Sequence, residues 1–255
     1  MAAALPRDFA EGRRDWALFL DIDGTLLEIA PTPQSVHPAR ADTTLIAALY
    51  EKTGGALALV SGRSLAMIDD LFRPLTLPAA GQHGVERRDA RGRIHRPSFS
   101  PKLLKRAAEH IRAFAEGHAG LVFEDKGYSM ALHYRLAPGL AGAAHAVVRE
   151  AAREVGSSVE VQRGKMVAEL KLAGHDKGKA IEAFMQERPF AGRLPIFLGD
   201  DLTDEHGFAT VERLGGWTIK VGVGRTMARY RLPNVGAVSS WLMAPMEDEA
   251  TEASR

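Results

Sequence analysis

The sequence contains no cysteine, and this absence excludes several kinds of chemistry at once. A chain of 255 residues without cysteine has no disulfide, no thiolate nucleophile and no zinc-thiolate site. The absence agrees with a reducing compartment, so we expect a cytoplasmic protein. No stretch approaches the roughly 18 apolar residues of a membrane span, and the first residues lack the apolar core of a signal peptide. We therefore expect a soluble protein without a membrane partner.

The sequence also lacks an excess of charge of either sign. Its 33 lysine and arginine residues nearly balance its 32 aspartate and glutamate residues, so the net charge is +1. Such a balance gives no overall field that would attract nucleic acid, and no nucleic-acid partner is expected. A small polar molecule is the partner that fits this composition better. With 45% hydrophobic residues, the chain is long enough for one large domain or a domain with a smaller insert.

Short apolar segments that end in glycine or acidic residues indicate a parallel sheet. They cover residues 17–20, 56–60 and 195–198, with a weaker example at 217–221. Between the first two, residues 39–51 carry apolar side chains at helical spacing, as the crossover between two parallel strands requires. The pattern predicts an α/β fold built on a parallel sheet.

The middle of the chain follows a different pattern. Amphipathic helices alternate there with half-exposed strands, and these elements cover residues 103–114, 128–135, 144–155 and 165–171. The parallel-sheet pattern resumes only after Gly174. We therefore expect a core domain formed by residues 1–98 and 174–255, interrupted by an inserted α+β domain at residues 99–173.

Two acidic residues directly follow the first predicted core strand. Asp21 and Asp23 stand at the carboxyl end of this strand, where open α/β sheets bind ligands. Alternation along an extended segment points both side chains to the same side, and two like charges there favour a divalent cation. The same Asp-x-Asp-Gly string also occurs in ordinary turns and in calcium loops, so by itself it leaves those interpretations open.

Further polar residues follow the other core strands. Ser61, Gly62 and Arg63 come after the second strand, and an acidic segment at residues 199–205 comes after the third. Lys177 stands at the apparent start of a helix. Because the carboxyl ends of parallel strands share one edge of the sheet, we expect carboxylates, a hydroxyl and a lysine to converge there.

In chain order the four motifs are Asp21 with Asp23, Ser61 with its glycine turn, Lys177, and the acidic segment 199–205. This ordered set, with a long insert between the second and third motifs, resembles that of the haloacid dehalogenase (HAD) superfamily. The resemblance spans nearly the whole chain and implies a Rossmann-like HAD core with a parallel sheet and an inserted α+β cap domain. It implies that Asp21 is the nucleophile that becomes an aspartyl-phosphate and that Asp23 is the acid and base. Ser61 and Lys177 would hold phosphoryl oxygens.

The resemblance also implies Mg2+ as a cofactor. Its ligands would be the carboxylates of Asp21 and Asp200 and the backbone carbonyl of Asp23, with waters completing an octahedron. Asp201 and Asp204 are expected to orient these ligands or the lysine rather than to bind the metal directly.

Substrate choice is expected to depend on the insert, because the cores of this superfamily are largely generic. Alternation places a set of charged residues on one face of the small sheet: Glu124, Lys126, His133, Arg135, Lys165, Glu169 and Lys171. The same pattern is typical of an ordinary solvated face. The insert holds 11 basic and 8 acidic residues, a net charge of +3 that favours a phosphate dianion.

The strings that contain these residues resemble the cap strands of trehalose-6-phosphate phosphatases, and segments 81–86, 174–180 and 199–205 resemble that family as well. Paired donors and acceptors suit a disaccharide with many hydroxyls. The resemblance implies trehalose 6-phosphate as the substrate. It also implies a set of substrate-binding residues: Gly24, Arg63, Gln82, His83, Glu124, Lys126, His133, Arg135, Lys165 and Glu169.

Two alternatives stay open at this point. One is a phosphatase for another sugar phosphate, such as sucrose phosphate or mannosyl-phosphoglycerate, on the same core and cap. The other is a catalytically silent sugar-phosphate-binding protein. The intact Asp21, Asp23, Lys177 and Asp200 argue against the silent protein.

Overall fold

The computed structural model describes residues 15–30, 40–99 and 101–252. The helices found there are α1 (Arg40–Lys52), α2 (Leu65–Leu71), α3 (Lys105–Glu116), α4 (Ala141–Val155), α5 (Lys177–Met185), α6 (Glu205–Arg213) and α7 (Val235–Glu252). Not one of these helices has the length and apolar content that crossing a membrane requires.

The strands form two sheets of different size. The larger sheet contains β1 (Trp16–Leu20), β2 (Leu57–Val60), β3 (Ala79–Gly81), β4 (Glu86–Arg88), β5 (Ile94–His95), β10 (Leu194–Gly199), β11 (Trp217–Val221) and β12 (Tyr230–Leu232). The smaller sheet contains β6 (Val122–Asp125), β7 (Ser129–His133), β8 (Val159–Gly164) and β9 (Val167–Leu172).

The larger sheet has the order β12-β11-β10-β1-β2-β3-β4-β5. Its pairs from β12 to β3 are parallel, and β4 and β5 extend it as antiparallel strands. The four predicted core strands are β11, β10, β1 and β2, which lie side by side, and the predicted crossover helix is α1. The prediction of an α/β fold on a parallel sheet is therefore confirmed; residue 39 of the predicted helix lies outside the described residues.

Strand β1 is an unbroken apolar run because helices cover both faces of the larger sheet. Leu18 and Leu20 pack in one hydrophobic cluster, whereas Ala17 and Phe19 pack in a second cluster on the other face. The ring of Phe19 stacks on that of Phe190 with 5.5 Å between centroids. Since both faces are buried, the run has no period of two, as is typical of strands in parallel sheets.

The smaller sheet is antiparallel, with the order β6-β7-β9-β8. One of its faces packs on α3 and α4, where the buried residues include Ile111, Leu132, Val148 and Leu170. The strands predicted at residues 128–135 and 165–171 correspond to β7 and β9, and the predicted amphipathic helices to α3 and α4. The expectation that these strands are half-exposed is wrong, because both are central strands that are almost wholly buried. The domain boundaries at residues 99 and 173 stay a prediction. Residues 1–14, 31–39 and 253–255 of the predicted core and residue 100 of the predicted insert lie outside the described residues.

Candidate active site

A cavity lies between the carboxyl edge of the larger sheet and the smaller sheet. Most of the predicted site residues line it, and from the larger sheet and its loops these are Asp21, Asp23, Ser61, Arg63, His83, Lys177, Asp200 and Asp201. Those from the smaller sheet and its loops are Glu124, Lys126, His133, Arg135, Lys165 and Glu169. The fold therefore brings the two predicted sets of polar residues to opposite walls of one cavity.

Asp21 is a buried carboxylate that is held on both oxygens. It follows β1, and its Oδ1 accepts a hydrogen bond from Lys177 Nζ at 2.7 Å. Its Oδ2 accepts one from Thr25 Oγ1 at 3.1 Å. Lys177 occupies the first turn of α5, which begins there because the Asp176 side chain caps the helix by accepting from the Lys179 N–H at 2.8 Å. Helix α5 and its N-cap residue Asp176 thus fix the Lys177 ammonium beside the Asp21 carboxylate.

Lys177 is a permanently charged ammonium between two carboxylates. Its Nζ lies 2.6 Å from Asp204 Oδ1 as well as close to Asp21. Burial alone would lower the pKa of Lys177, but Asp204 and Asp21 together raise it above its ordinary value. Lys177 is therefore available as a fixed positive charge beside Asp21.

Asp204 shapes the loop after β10 and lies behind the cavity lining. Its Oδ2 accepts from the backbone N–H groups of Asp200 and Asp201, at 2.9 Å each. Its Oδ1 is occupied by Lys177. Because both oxygens have protein donors, Asp204 holds the loop and the lysine in place, and its role in orienting metal ligands stays a prediction.

The carboxylates of Asp21, Asp200 and Asp204 form an acidic cluster. One oxygen from each lies within 4.8 Å of the others. Burial raises the pKa of Asp21, and burial together with Asp204 raises that of Asp200 to about 6. Gly24, at φ +85°, makes the approach possible, because a Cβ there would collide with the Asp200 carboxylate. The all-oxygen donor set and the crowded negative charge fit Mg2+. Asp21 and Asp200 are better placed to bind the ion because they line the cavity, whereas Asp204 lies behind it.

Asp23 is engaged by Arg63 through a two-point contact. Arg63 Nε and Nη2 lie 2.7 and 2.6 Å from the two carboxylate oxygens of Asp23. The Asp23 side chain is 35% exposed, toward the cavity that it lines. Arg63 was predicted to bind substrate, and the structure directs its guanidinium to Asp23. Ser61 is buried beside them, and its Oγ accepts from the Arg63 N–H at 3.2 Å.

The opposite wall of the cavity carries a connected charged cluster, formed by Glu124, Lys126, His133 and Glu169, which also contacts His83 on the side of the larger sheet. Lys126 Nζ lies 3.0 Å from Glu169 Oε1 and 3.9 Å from Glu124 Oε2. His83 Nε2 lies 2.8 Å from Glu169 Oε2, and His133 Nε2 lies 2.8 Å from Glu124 Oε2. Burial favours a raised pKa for Glu169, but Lys126 and His83 hold it well below its usual range. Glu169 is therefore an ionised acceptor in a buried place.

Lys165 and Lys171, predicted on the same face as Glu169, contact other partners. Lys165 Nζ lies 3.1 Å from Asp200 Oδ2, and its backbone N–H donates to Asp201 Oδ2 at 3.1 Å. Lys171 is only 2% exposed and pairs with Glu160 at 2.6 Å, while its Nζ also donates to the His175 carbonyl. Lys171 lies near the end of β9, beside the segment that leads to α5, so it contacts that segment instead of the cavity.

Two predicted substrate-binding residues, Gly24 and Gln82, lie outside the cavity lining formed by the described residues. Gly24 lies in a turn where the absence of a side chain leaves room for the Asp200 carboxylate, as described above. Gln82 is 1% exposed, and its side chain contacts Glu86, Tyr128 and Ser129. Gln82 is enclosed by protein atoms, so the structure does not support direct substrate contact for it. Gly24 is half-buried, and its contact with substrate stays a prediction.

Lys220 and Thr25 support the site and were missed by sequence reasoning. Lys220 is 4% exposed near the end of β11, and its Nζ donates to the carbonyl oxygens of Asp200 and Val221. A lysine within an apolar core strand was the available signal, since a buried ammonium needs acceptors. Thr25 directly follows the Asp-x-Asp-Gly string, but its hydrogen bond to Asp21 could be recognised only in the structure.

The sequence is similar to proteins of known activity. The family model for trehalose-phosphatase matches residues 19–234. The trehalose-6-phosphate phosphatase of Escherichia coli K12 is 43% identical over 227 residues, which cover 89% of this chain and 85% of that protein. A probable trehalose-phosphate phosphatase of Sinorhizobium fredii is 45% identical over 224 residues, which cover 86% and 84%.

The fold is similar to those of solved phosphatases. The C-terminal domain of C. albicans trehalose-6-phosphate phosphatase superposes with a TM-score of 0.82 at 20% identity, covering 97% of this chain and 98% of that one. A phosphatase of the haloalkanoate (HAD) superfamily from Bacteroides thetaiotaomicron gives a TM-score of 0.59 at 14% identity, covering 97% and 98%. The predicted HAD fold with a cap is therefore confirmed.

Proposed function

Since the chain belongs to the trehalose-phosphatase family, we propose that it is an enzyme that hydrolyses trehalose 6-phosphate to trehalose and phosphate. One observation carries the proposal beyond the family: a carboxylate held by an ammonium, Asp21 with Lys177, faces a charged cluster suited to sugar hydroxyls across one cavity. We assign residues 1–98 and 174–255 to the phosphatase core and residues 99–173 to the cap that selects the substrate.

In the first step, an oxygen of Asp21 attacks phosphorus and the bond from phosphorus to the sugar oxygen breaks. Asp23 donates a proton to that oxygen, so trehalose leaves as a neutral alcohol. Ser61 and Lys177 hold phosphoryl oxygens while negative charge spreads over them. Because both oxygens of Asp23 contact Arg63, one of these hydrogen bonds has to open for Asp23 to reach the leaving oxygen.

In the second step, water attacks phosphorus of the aspartyl-phosphate and the bond to Asp21 breaks. Asp23, now a carboxylate, takes the proton from that water. Asp21 returns to its ionised form between Lys177 and Thr25, and phosphate leaves. The sum of both steps is trehalose 6-phosphate plus water giving trehalose plus phosphate.

The acidic cluster is the proposed place for Mg2+. The carboxylates of Asp21 and Asp200 and the backbone carbonyl of Asp23 would hold it, while Asp201 and Asp204 orient the loop. When bound, the ion supplies positive charge that offsets the charge of the phosphoryl oxygens. The crowding of these carboxylates supports this assignment, because burial and the neighbouring carboxylates raise the pKa values of Asp21 and Asp200 and a cation would relieve that repulsion.

The cap residues supply recognition of the sugar. Glu124, Lys126 and Glu169 provide buried acceptors and a donor on the wall opposite Asp21, with His83 and His133 as partners of the two carboxylates. A disaccharide with many hydroxyl groups needs paired donors and acceptors of this kind in a closed site. These residues therefore account for selection of a disaccharide phosphate over a small phosphate ester.

Replacing Glu169 with alanine is expected to lower kcat/KM for trehalose 6-phosphate by roughly 10- to 100-fold. The reason is that a sugar hydroxyl then stays unpaired in a buried site, at a cost of about 1 to 3 kcal/mol. A small aryl phosphate makes no such contact, so the ratio of the two kcat/KM values should fall by the same factor.

The matched control is Glu109→Ala, which removes an exposed carboxylate from α3 on the outer side of the cap. This variant should keep the wild-type ratio. If Glu169→Ala also keeps that ratio, then the charged cluster does not recognise the sugar.

A further inference from the structure

Two consecutive residues after β3 have a backbone conformation that residues other than glycine rarely adopt. Gln82 and His83 have φ angles of 49° and 58°, in the left-handed region. Such conformations persist only where surrounding contacts hold them, and they occur most often at functional sites. The Gln82–His83 turn is therefore a place where the structure maintains an unusual geometry.

The core holds this turn from several directions. The N–H of Gln82 donates to the Arg63 carbonyl at 2.8 Å, and the N–H of His83 donates to the Ser61 carbonyl at 2.9 Å. Glu86 Oε1 accepts from Gln82 Nε2 at 3.2 Å. The turn also presses against the residue before α5, because a Cβ at Gly84 would lie 2.7 Å from the Asp176 carbonyl oxygen. Its position is fixed by the loops that carry Ser61 and Lys177.

The same turn contacts the cap at two points. Gln82 Oε1 accepts from the Ser129 hydroxyl at 2.9 Å and from the Tyr128 N–H at 3.2 Å. Gln82 and Ser129 are both buried, at 1% and 0% exposure. His83 contacts Glu169, as described above. Gln82 thus joins the core to the turn between β6 and β7.

The turn between β6 and β7 carries Lys126. The N–H of Lys126 donates to the Ser129 carbonyl at 2.9 Å, so Ser129 and Lys126 belong to one tight turn. From there Lys126 Nζ reaches Glu169 Oε1 at 3.0 Å and the Gly62 carbonyl at 2.9 Å. A shift of Ser129 would therefore move the ammonium that completes the charged cluster.

We propose that Gln82 is a positioning residue for substrate specificity: through Ser129 and Tyr128 it fixes the cap turn that carries Lys126 over the cavity. Gln82 acts without touching the substrate, since it lies outside the cavity lining formed by the described residues. The proposal rests on the proposed role of Lys126 and Glu169 in sugar binding. It explains why a buried glutamine in a strained turn of the core bonds to the cap.

The test is a double-mutant cycle with Gln82→Ala, Ser129→Ala and the double variant. We expect Gln82→Ala to raise KM for trehalose 6-phosphate about tenfold while kcat changes little, because a displaced binding group weakens substrate binding. Turnover of an aryl phosphate should stay at the wild-type value. Ser129→Ala should raise KM about threefold alone and should add nothing in the Gln82→Ala background, since the two residues share one contact.

Several outcomes would overturn the proposal. Equal losses of activity on trehalose 6-phosphate and on the aryl phosphate would show that Gln82 is a purely structural residue. Additive effects of the two substitutions on KM would show that Gln82 does not act through Ser129. If Gln82→Ala does not fold, Ser129→Ala decides, because it removes a single hydroxyl, and an unchanged KM would then refute the role of the contact. Glu169→Ala, measured in the same assays, distinguishes failure of this proposal from failure of the proposed sugar recognition. If Glu169→Ala alters the ratio of kcat/KM for trehalose 6-phosphate to that for the aryl phosphate and Gln82→Ala does not, only the proposal for Gln82 fails.

Discussion

Asp21→Asn is expected to abolish phosphate release from trehalose 6-phosphate, with kcat lower by about ten-thousandfold or more. The amide has nearly the shape of the carboxylate and still offers an oxygen to Lys177 Nζ, which lies 2.7 Å from Asp21 Oδ1. It is a poor nucleophile toward phosphorus, however, and a poor ligand for a divalent cation. The measurement is phosphate release by purified protein with excess Mg2+.

Asp176→Asn is the matched control for this experiment. Asp176 precedes Lys177 and caps α5, and asparagine is an equally good helix cap, so activity should stay close to wild type. Thermal unfolding of Asp21→Asn should also show a clear transition, which establishes that the variant is folded. Substantial turnover by folded Asp21→Asn would remove Asp21 from the role of nucleophile.

Removal of divalent metal is expected to reduce turnover by about a thousandfold or more, and added Mg2+ should restore it. Without the ion, the phosphate dianion meets the clustered carboxylates of Asp21, Asp200 and Asp204, whose negative charge Lys177 and Lys165 offset only in part. The experiment compares phosphate release after exhaustive treatment with a chelator and after readdition of Mg2+.

A second readout of metal binding does not depend on activity. Mg2+ should raise the thermal unfolding midpoint in a concentration-dependent way, because a ligand that binds the folded state stabilises it. In Asp200→Asn this shift should become much smaller, since the variant loses a proposed ligand. Full activity of the metal-free protein would contradict the proposed site.

Much of the fold could be predicted because buried parallel strands are continuous apolar runs. Strands β1, β2, β10 and β11 were found in this way, and the change to an alternating pattern marked the smaller sheet. The three-residue strands β3 and β12 were not predicted. Ala79–Gly81 is too short to show a period, and it forms a strand only because β2 and β4 lie on either side of it.

The resemblance to trehalose-6-phosphate phosphatases, stated from short motifs, is confirmed by the family model and by relatives at 43 and 45% identity. Contacts between distant parts of the chain could not be predicted. Gln82 and Tyr128 are 46 residues apart, and no local pattern shows that one bonds to the other. Alternation also assigns a residue to a face without showing its neighbours: Lys171 was predicted on the charged face, but only the structure shows that it contacts Glu160.

The most direct test of the function is a panel of sugar phosphates, assayed for phosphate release with purified protein and Mg2+. The panel contains trehalose 6-phosphate, sucrose 6-phosphate, mannosyl-phosphoglycerate and glucose 6-phosphate. We predict that kcat/KM for trehalose 6-phosphate exceeds that for each of the others by about tenfold or more, because we propose that Glu124, Lys126 and Glu169 bind its second glucose unit. An equal or higher kcat/KM for another sugar phosphate, or no release from any of them, would contradict the assignment.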